Sequence, residues 1–321
     1  MDVAKMLDKC RREQWRVEDL DWSGSPREMS RHDERAIVQY FTDMAGIERL
    51  AGALFREQER KVDDDTLKKI FRTFVADEER HAQVAERLAR YYDVHRYERY
   101  AVSPNLAAFR PRFLETVRYL PPDIANVYIT TGELILDVAL LRSINDFVHD
   151  PMSQRAMDLI NRDESRHIAV DYHMVEYYAS DEYDARMRAQ PKGPLLERAR
   201  ATRAMAGMLW HAGPFIRDVF FEPMEIVDPT GRRMKEVFKR VQLLRAKPNV
   251  ARRPFSKVMI ALQDLYQVPS VRRVLGPAIE RAVGVQGSML ERLVSADDER
   301  RARAMSYDDL AQDALAAKHL S

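Results

Sequence analysis

The pentapeptide Asp-Glu-x-Arg-His occurs twice in this chain of 321 residues, as Asp77-Glu78-Glu79-Arg80-His81 and as Asp163-Glu164-Ser165-Arg166-His167. Glutamate and histidine three positions apart share one face of an α-helix, so each copy can present both side chains to one point only if its segment is helical. Of the eight histidines, only His81 and His167 have a glutamate three residues earlier. Two full matches by chance are on the order of one in tens of thousands if positions are independent. Charged residues repeated on the inward stripe of a helix need partners, because a buried carboxylate without one is costly. The Glu and His of each copy can therefore reach one metal ion.

The surrounding pattern is helical. Ile37, Tyr40, Phe41, Met44, Ile47, Leu50, Ala51 and Leu54 recur at three- and four-residue steps, predicting a helix from about Arg31 to Lys61. Asp63-Asp64-Asp65 offers a cap for a second helix, Thr66 to about Asp93. After a proline-rich connector, a third helix is expected from Asp123 to Phe147. A fourth runs from Pro151 to about Tyr178, capped by Asp150. The short turns make each pair an antiparallel hairpin. Residues 1–30 read as a polar N-terminal extension, 31–180 as the bundle, and 181–321 as a basic helical extension packed on it. Breaks in that last part are expected near Pro214, Pro223, Pro229, Pro248, Pro254, Pro269 and Pro277. Met174, Met205, Met208 and Trp210 are expected in the core.

The other two helices should supply matching carboxylates. Glu48 lies mid-helix in the first and Glu133 in the third. At ~1.5 Å of rise per residue, Glu48 and Glu78 both stand roughly 20 Å from the turn that joins their helices, so they are level. Glu133 and Glu164 are similarly disposed about their own turn. The separations agree, 30 residues for the first pair and 31 for the second.

One Glu on each of two helices and Glu-x-x-His on each of two others resembles the ferritin-like diiron-carboxylate proteins. The Asp-Glu-x-Arg-His form is similar to their oxygen-activating branch, which includes methane monooxygenase hydroxylases, ribonucleotide reductase small subunits and p-aminobenzoate N-oxygenases. The resemblance covers roughly residues 31–180. It implies an all-α, ferritin-like four-helix bundle with additional C-terminal helices. It also implies two iron ions, with manganese or a mixed pair as alternatives, held by Glu48, Glu78, His81, Glu133, Glu164 and His167. By the same resemblance Asp77 would orient His167 and Asp163 would orient His81, with Arg80 and Arg166 anchoring both aspartates.

Two positions depart from the family pattern. The N-oxygenases carry an additional histidine one turn before the last motif's glutamate, where this chain has Ile160. One turn after Glu133 stands Asp137, read as a catalytic proton donor, an extra ligand or a salt-bridge partner. Asp171, one turn past His167, is expected in a buried salt bridge. Tyr40 and Tyr128 are expected to pack.

Composition narrows the functional classes. The single cysteine, Cys10, excludes a disulfide framework and a thiolate cluster, and suits a reducing compartment. No segment reads as a signal peptide or membrane span, so a cytoplasmic location is expected. The net charge of +1 conceals a split: residues 190–321 hold 23 basic and 15 acidic side chains, giving +8, and the rest carries −7. Ten basic residues and one acid fall between Arg232 and Lys257. This stretch is a solvated face or a surface for an anionic substrate, coenzyme A thioester or carrier protein; nucleic acid is not expected without interleaved aromatics. The leading expectation is an O2-activating dinuclear iron oxygenase for hydroxylation, N-oxygenation or desaturation of a small or carrier-bound organic substrate. Electrons would come from a ferredoxin or flavin reductase, since no flavin or nicotinamide motif is present. A homodimer is compatible with this reading. The alternatives are a metal-storage protein without turnover and a radical-generating subunit for a partner enzyme.

Overall fold

Capping and apolar spacing decide where the long helices begin. A computed structural model describes residues 1–97, 99–191 and 193–319, with the side chain of His319 outside the described part. Helix α1 spans Val3–Arg12. The first bundle hairpin is α2 (Arg31–Lys61) and α3 (Asp65–Tyr92), with Asp64 accepting from the Thr66 and Leu67 amides at 2.8 Å. A connector helix α4 (Pro104–Val117) leads to α5 (Pro122–Val148) and α6 (Pro151–Tyr178). The α5–α6 turn is made by His149 in the left-handed region, φ 48°, followed by Asp150, which caps the Met152 amide at 2.9 Å. Phe41, Phe55, Ile70, Phe71, Phe74 and Leu88 are fully buried between these helices. About four-fifths of the described chain is helical and none of it is strand, in agreement with an all-α, ferritin-like bundle.

Helix α5 differs from the uninterrupted α-helix expected. Its residues Ile135–Leu140 are π-helical, immediately after Glu133. Such segments widen the helix by a residue per turn and often lie beside functional sites. α5 is long and apolar enough to cross a membrane, although no segment was expected to read as a membrane span. Yet 72% of its most apolar window is buried, and that apolarity serves the bundle core.

Residues beyond the bundle form α7 (Asp181–Ala189), a long α8 (195–227), and α9 (Arg232–Arg245). The short α10 (Pro248–Ala251) then precedes α11 (Pro254–Gln267) and α12 (Pro269–Val283). The chain closes with α13 (Gly287–Leu290), α14 (Ala296–Ala304), α15 (Tyr307–Ala316) and a 3-10 turn, Ala317–His319. Pro248, Pro254 and Pro269 start helices, where a missing amide costs nothing. Pro214 and Pro223 do not break α8 as expected. The ladder bond that Pro214 cannot make is followed by a π-helical segment, Arg217–Phe221, and Pro223 falls in the first turn after it. Trp210 is 81% exposed and so is not a core residue; it lies on the outer side of α8.

Gly284 ends α12 at φ 70°, and a Cβ there would collide with the Gly213 carbonyl of α8. Gly284→Ala should therefore cost about 2 kcal/mol or more, from left-handed strain and lost helix contact, read as a lowered thermal midpoint.

Most of the basic stretch is used inside the molecule. Arg233 donates to Ser143 Oγ at 2.8 Å and pairs with Asp146 of α5. Arg240 pairs with Asp313 at 3.1 Å, and Arg252 with Asp181 at 2.5 Å. Arg253 donates to the Ser180 carbonyl at 3.0 Å, and Lys247 to that of Arg303 at 3.2 Å. These cations join the C-terminal helices to the bundle and to one another, so less of the stretch faces solvent than either sequence reading supposed.

Candidate metal centre

All six residues singled out as ligands converge in the middle of the bundle. Glu48 comes from α2, Glu78 and His81 from α3, Glu133 from α5, and Glu164 and His167 from α6, each 3% exposed or less. Two groups of side chains each bring one ligand atom per residue within 4.8 Å of one another. One is Glu48, Glu78, His81 and Glu164; the other is Glu78, Glu133, Glu164 and His167. Glu78 and Glu164 belong to both, so two cations placed there would share them.

The spacing of the donors is compatible with metal ions set between them. His81 Nδ1 lies 3.1 Å from Glu164 Oε1, and His167 Nδ1 lies 3.1 Å from Glu78 Oε1 and 3.0 Å from Glu164 Oε2. Neighbouring donors around an octahedral ion with bonds of ~2.1 Å stand roughly 3 Å apart. Both oxygens of Glu48 and of Glu78, one oxygen each of Glu133 and Glu164, and His81 Nδ1 are buried without a hydrogen bond. Each such group is costly in a dry interior. The oxygen and imidazole donor set suits iron or manganese.

Electrostatics tell the same story from another side. Burial pushes Glu48 up to about 7, and burial with the neighbouring Glu164 charge pushes Glu78 and Glu133 well above the usual carboxylate range. Burial also disfavours the imidazolium, but the surrounding carboxylates overcome it and hold His81 and His167 well above their ordinary value. Without a cation the cluster must thus retain protons that a bound metal would displace.

The aspartates and arginines of the repeat form a layer behind the histidines. His81 Nε2 faces Asp163 Oδ2 at 3.1 Å, and His167 Nε2 faces Asp77 Oδ2 at 3.4 Å, so each aspartate serves the histidine of the opposite motif. These contacts leave both Nδ1 atoms toward the cluster. Arg166 donates to Asp163 Oδ1 at 2.6 Å and Asp77 Oδ2 at 3.3 Å, while Arg80 bridges the same two aspartates from the other side.

Sequence reasoning missed the contribution of the N-terminal thirty residues. Trp15 Nε1 donates to Asp163 Oδ2 at 2.7 Å, and its ring stacks on His81 with centroids 6.5 Å apart. Gln14 Nε2 donates to Asp77 Oδ1 at 3.1 Å, and Glu13 accepts from Arg166 at 2.9 Å. The one available signal was the Leu7–Cys10 spacing, which marks a buried face on α1.

Asp137 takes the salt-bridge role among its three readings, whereas Asp171 departs from its own. Asp137 falls in neither ligand group; its Oδ2 is paired with Lys318, 8% exposed, from the last turn of the chain. Lys318 also donates to Ser165 Oγ at 2.8 Å, so it bridges α5 and α6 beside the cluster. Asp171 does not make the salt bridge expected of it. Among the described residues no cation pairs with it, because its interior neighbours on α6 are His167 and Met174 rather than Lys or Arg. Ile160 is buried and apolar.

The Lys318 pair allows a test. Burial raises Asp137 to about 7 even though the ammonium opposes the shift. Lys318→Met removes that opposition, so the folded state holds the Asp137 proton to still higher pH while the unfolded carboxyl titrates near 3.8. Folding then binds a proton, and stability declines as pH rises. The variant should lose about 3 kcal/mol at pH ~8 and clearly less at pH ~6, measured by urea unfolding at both.

Residues 45–183 match the family model for rubrerythrin. This segment contains all six converging residues, and its similarity to that family supports a ferritin-like diiron-carboxylate bundle. Searches of curated proteins and of solved structures give no significant match.

Proposed function

We propose that this chain is an O2-dependent dinuclear iron oxidoreductase, acting as an oxygenase on a small organic substrate with electrons from a separate ferredoxin or flavin reductase. The observation that carries the reading is a symmetric ligand set sharing Glu78 and Glu164, enclosed by parts of the chain outside the bundle. Glu13, Gln14 and Trp15 back the histidines on one side, and Lys318 closes the α5–α6 side. A storage site has to pass iron freely, whereas a site closed in this way favours controlled chemistry on a bound substrate.

Bound iron would supply the redox change and the affinity for O2 that no side chain provides. The chain's own residues do the rest. Glu48 and His81 would hold one ion, Glu133 and His167 the other, with Glu78 and Glu164 between them. Asp77 and Asp163 accept the Nε2 protons and so fix both imidazoles with Nδ1 inward. The phenylalanines at 55 and 74, packed on His167, keep water from that side of the cluster. Asp137, poised near neutrality beside Glu133, can hold a proton at its carboxyl.

The reading is tested by loading the protein with ferrous iron, reducing it, and following O2 consumption against a panel of small aromatic and aliphatic acids and amines. Substrate-dependent consumption, with oxygen from labelled O2 in the product or a new double bond, is the expected result. Iron uptake and oxidation indifferent to every organic compound would favour storage instead.

A further inference from the structure

The dinuclear cluster does not account for every buried acceptor in the bundle. Asp171 is fully buried, and neither of its carboxylate oxygens has a hydrogen-bond partner. Beside it, Asn126 of α5, 1% exposed, donates through Nδ2 to the Asp171 carbonyl at 3.1 Å and to Thr130 Oγ1 at 3.3 Å. Both amide hydrogens are thereby used, and Asn126 Oδ1 is left without a donor. Three buried oxygens on two residues in contact are thus acceptors without donors in a dry interior, and such acceptors attract a hard cation. Burial, which outweighs the opposing His167 charge, pushes the Asp171 carboxyl well above its usual range, consistent with a group lacking its partner.

The position of the pair gives it a role. Glu164, His167, Asp171, Met174 and Tyr178 follow at steps of three and four residues, along one face of α6. Asp171 is one turn, roughly 6 Å of rise, from His167. Met174 and Tyr178, further down the same face, line a cavity of about 980 Å³ at the end of the bundle, whose walls carry acids such as Asp64, Glu176 and Glu182 as well as Lys61, Arg118 and Arg186. The order along the helix is therefore end cavity, acceptor pair, cluster.

We propose that Asp171 and Asn126 form a third cation site, a transfer station for a divalent metal passing from the end cavity to the dinuclear centre. The proposal rests on the dinuclear reading and deepens it by naming the route by which that centre fills.

Anaerobic titration and stopped-flow mixing with Co(II), whose absorption reports coordination, test it without recourse to activity. The wild-type chain should take up two equivalents tightly and a third more weakly. Asp171→Asn should lose the third and slow the filling of the first two by about tenfold or more, while the final tight stoichiometry stays at two. Asn126→Leu, which removes the other acceptor, should do the same and guards against a folding defect in either variant. Two tight equivalents that fill at the wild-type rate in both variants would overturn the transfer station alone, leaving Asp171 hydrated by water only. Fewer than two tight equivalents in the wild type would instead overturn the dinuclear reading.

Discussion

Glu78→Ala should reduce the bound metal from two ions per chain to one at most, and abolish any iron-dependent O2 consumption. Glu78 contributes to both ligand groups, so its loss removes a donor from each, whereas Glu48→Ala or Glu133→Ala strips only one group. Loss of a partner merely orienting a ligand typically costs about 10–100-fold in metal affinity, and a shared ligand should cost more. The metal-free protein should behave differently. Glu78 is buried among carboxylates that repel it, with His167 Nδ1 at 3.1 Å as its one opposing charge, so its loss costs the empty fold little. Metal-free wild type and variant should therefore melt close together, while added iron should raise the midpoint of the wild type far more. A variant that keeps both ions, measured by inductively coupled plasma analysis, would contradict the shared-ligand arrangement.

Arg166→Met should be the most destabilising single change behind the cluster. The guanidinium is fully buried and holds Asp163, Asp77 and Glu13 at 2.6, 3.3 and 2.9 Å. Removing one member of a buried ion network leaves its partners uncompensated, at a cost of about 3–5 kcal/mol. Lysine should not rescue it, since one ammonium cannot reproduce the fork that spans two carboxylates. Because Glu13 loses its anchor as well, the segment before Arg31 should become more open to limited proteolysis. The same network predicts acid sensitivity. Burial raises Asp163, but His81, Arg166 and Trp15 outweigh it and hold the carboxyl far below its ordinary 3.8. Its contribution is thus complete above about pH 4 and is lost as the pH falls further. Urea unfolding at neutral pH checks the first expectation; a loss under about 1 kcal/mol would contradict it.

Much of this arrangement was legible because helical periodicity acts locally. The Asp-Glu-x-Arg-His repeat, read at 3.6 residues per turn, brings Glu78, His81, Glu164 and His167 inward, and level counting from the turns brings Glu48 and Glu133 to the same depth. What the sequence pattern concealed was long-range. Trp15 and Lys318 reach the two sides of the site from opposite ends of the chain, and neither sits in a local pattern that marks it. The π-helical segment at Ile135–Leu140 is written in residues apolar on all sides, which carry no period by which a widened turn could be noticed. Pro214 reads as a helix breaker, yet the helix continues because the neighbouring segment relaxes. The basic stretch looked like a surface because charge in a sequence carries no sign of its partners; Asp146, Asp181 and Asp313 are 60 or more residues away from the arginines they bind, with the relevant aspartates on α5, α7 and α15.

The central claim is that six side chains from four helices hold a pair of iron ions sharing Glu78 and Glu164. The most direct test is to load the full chain with isotopically enriched iron, remove loosely held metal, oxidise it, and record the iron content with the Mössbauer spectrum. Two irons per chain with the signature of a spin-coupled ferric pair is the predicted result. One iron or none, or two magnetically independent ferric ions, would contradict it.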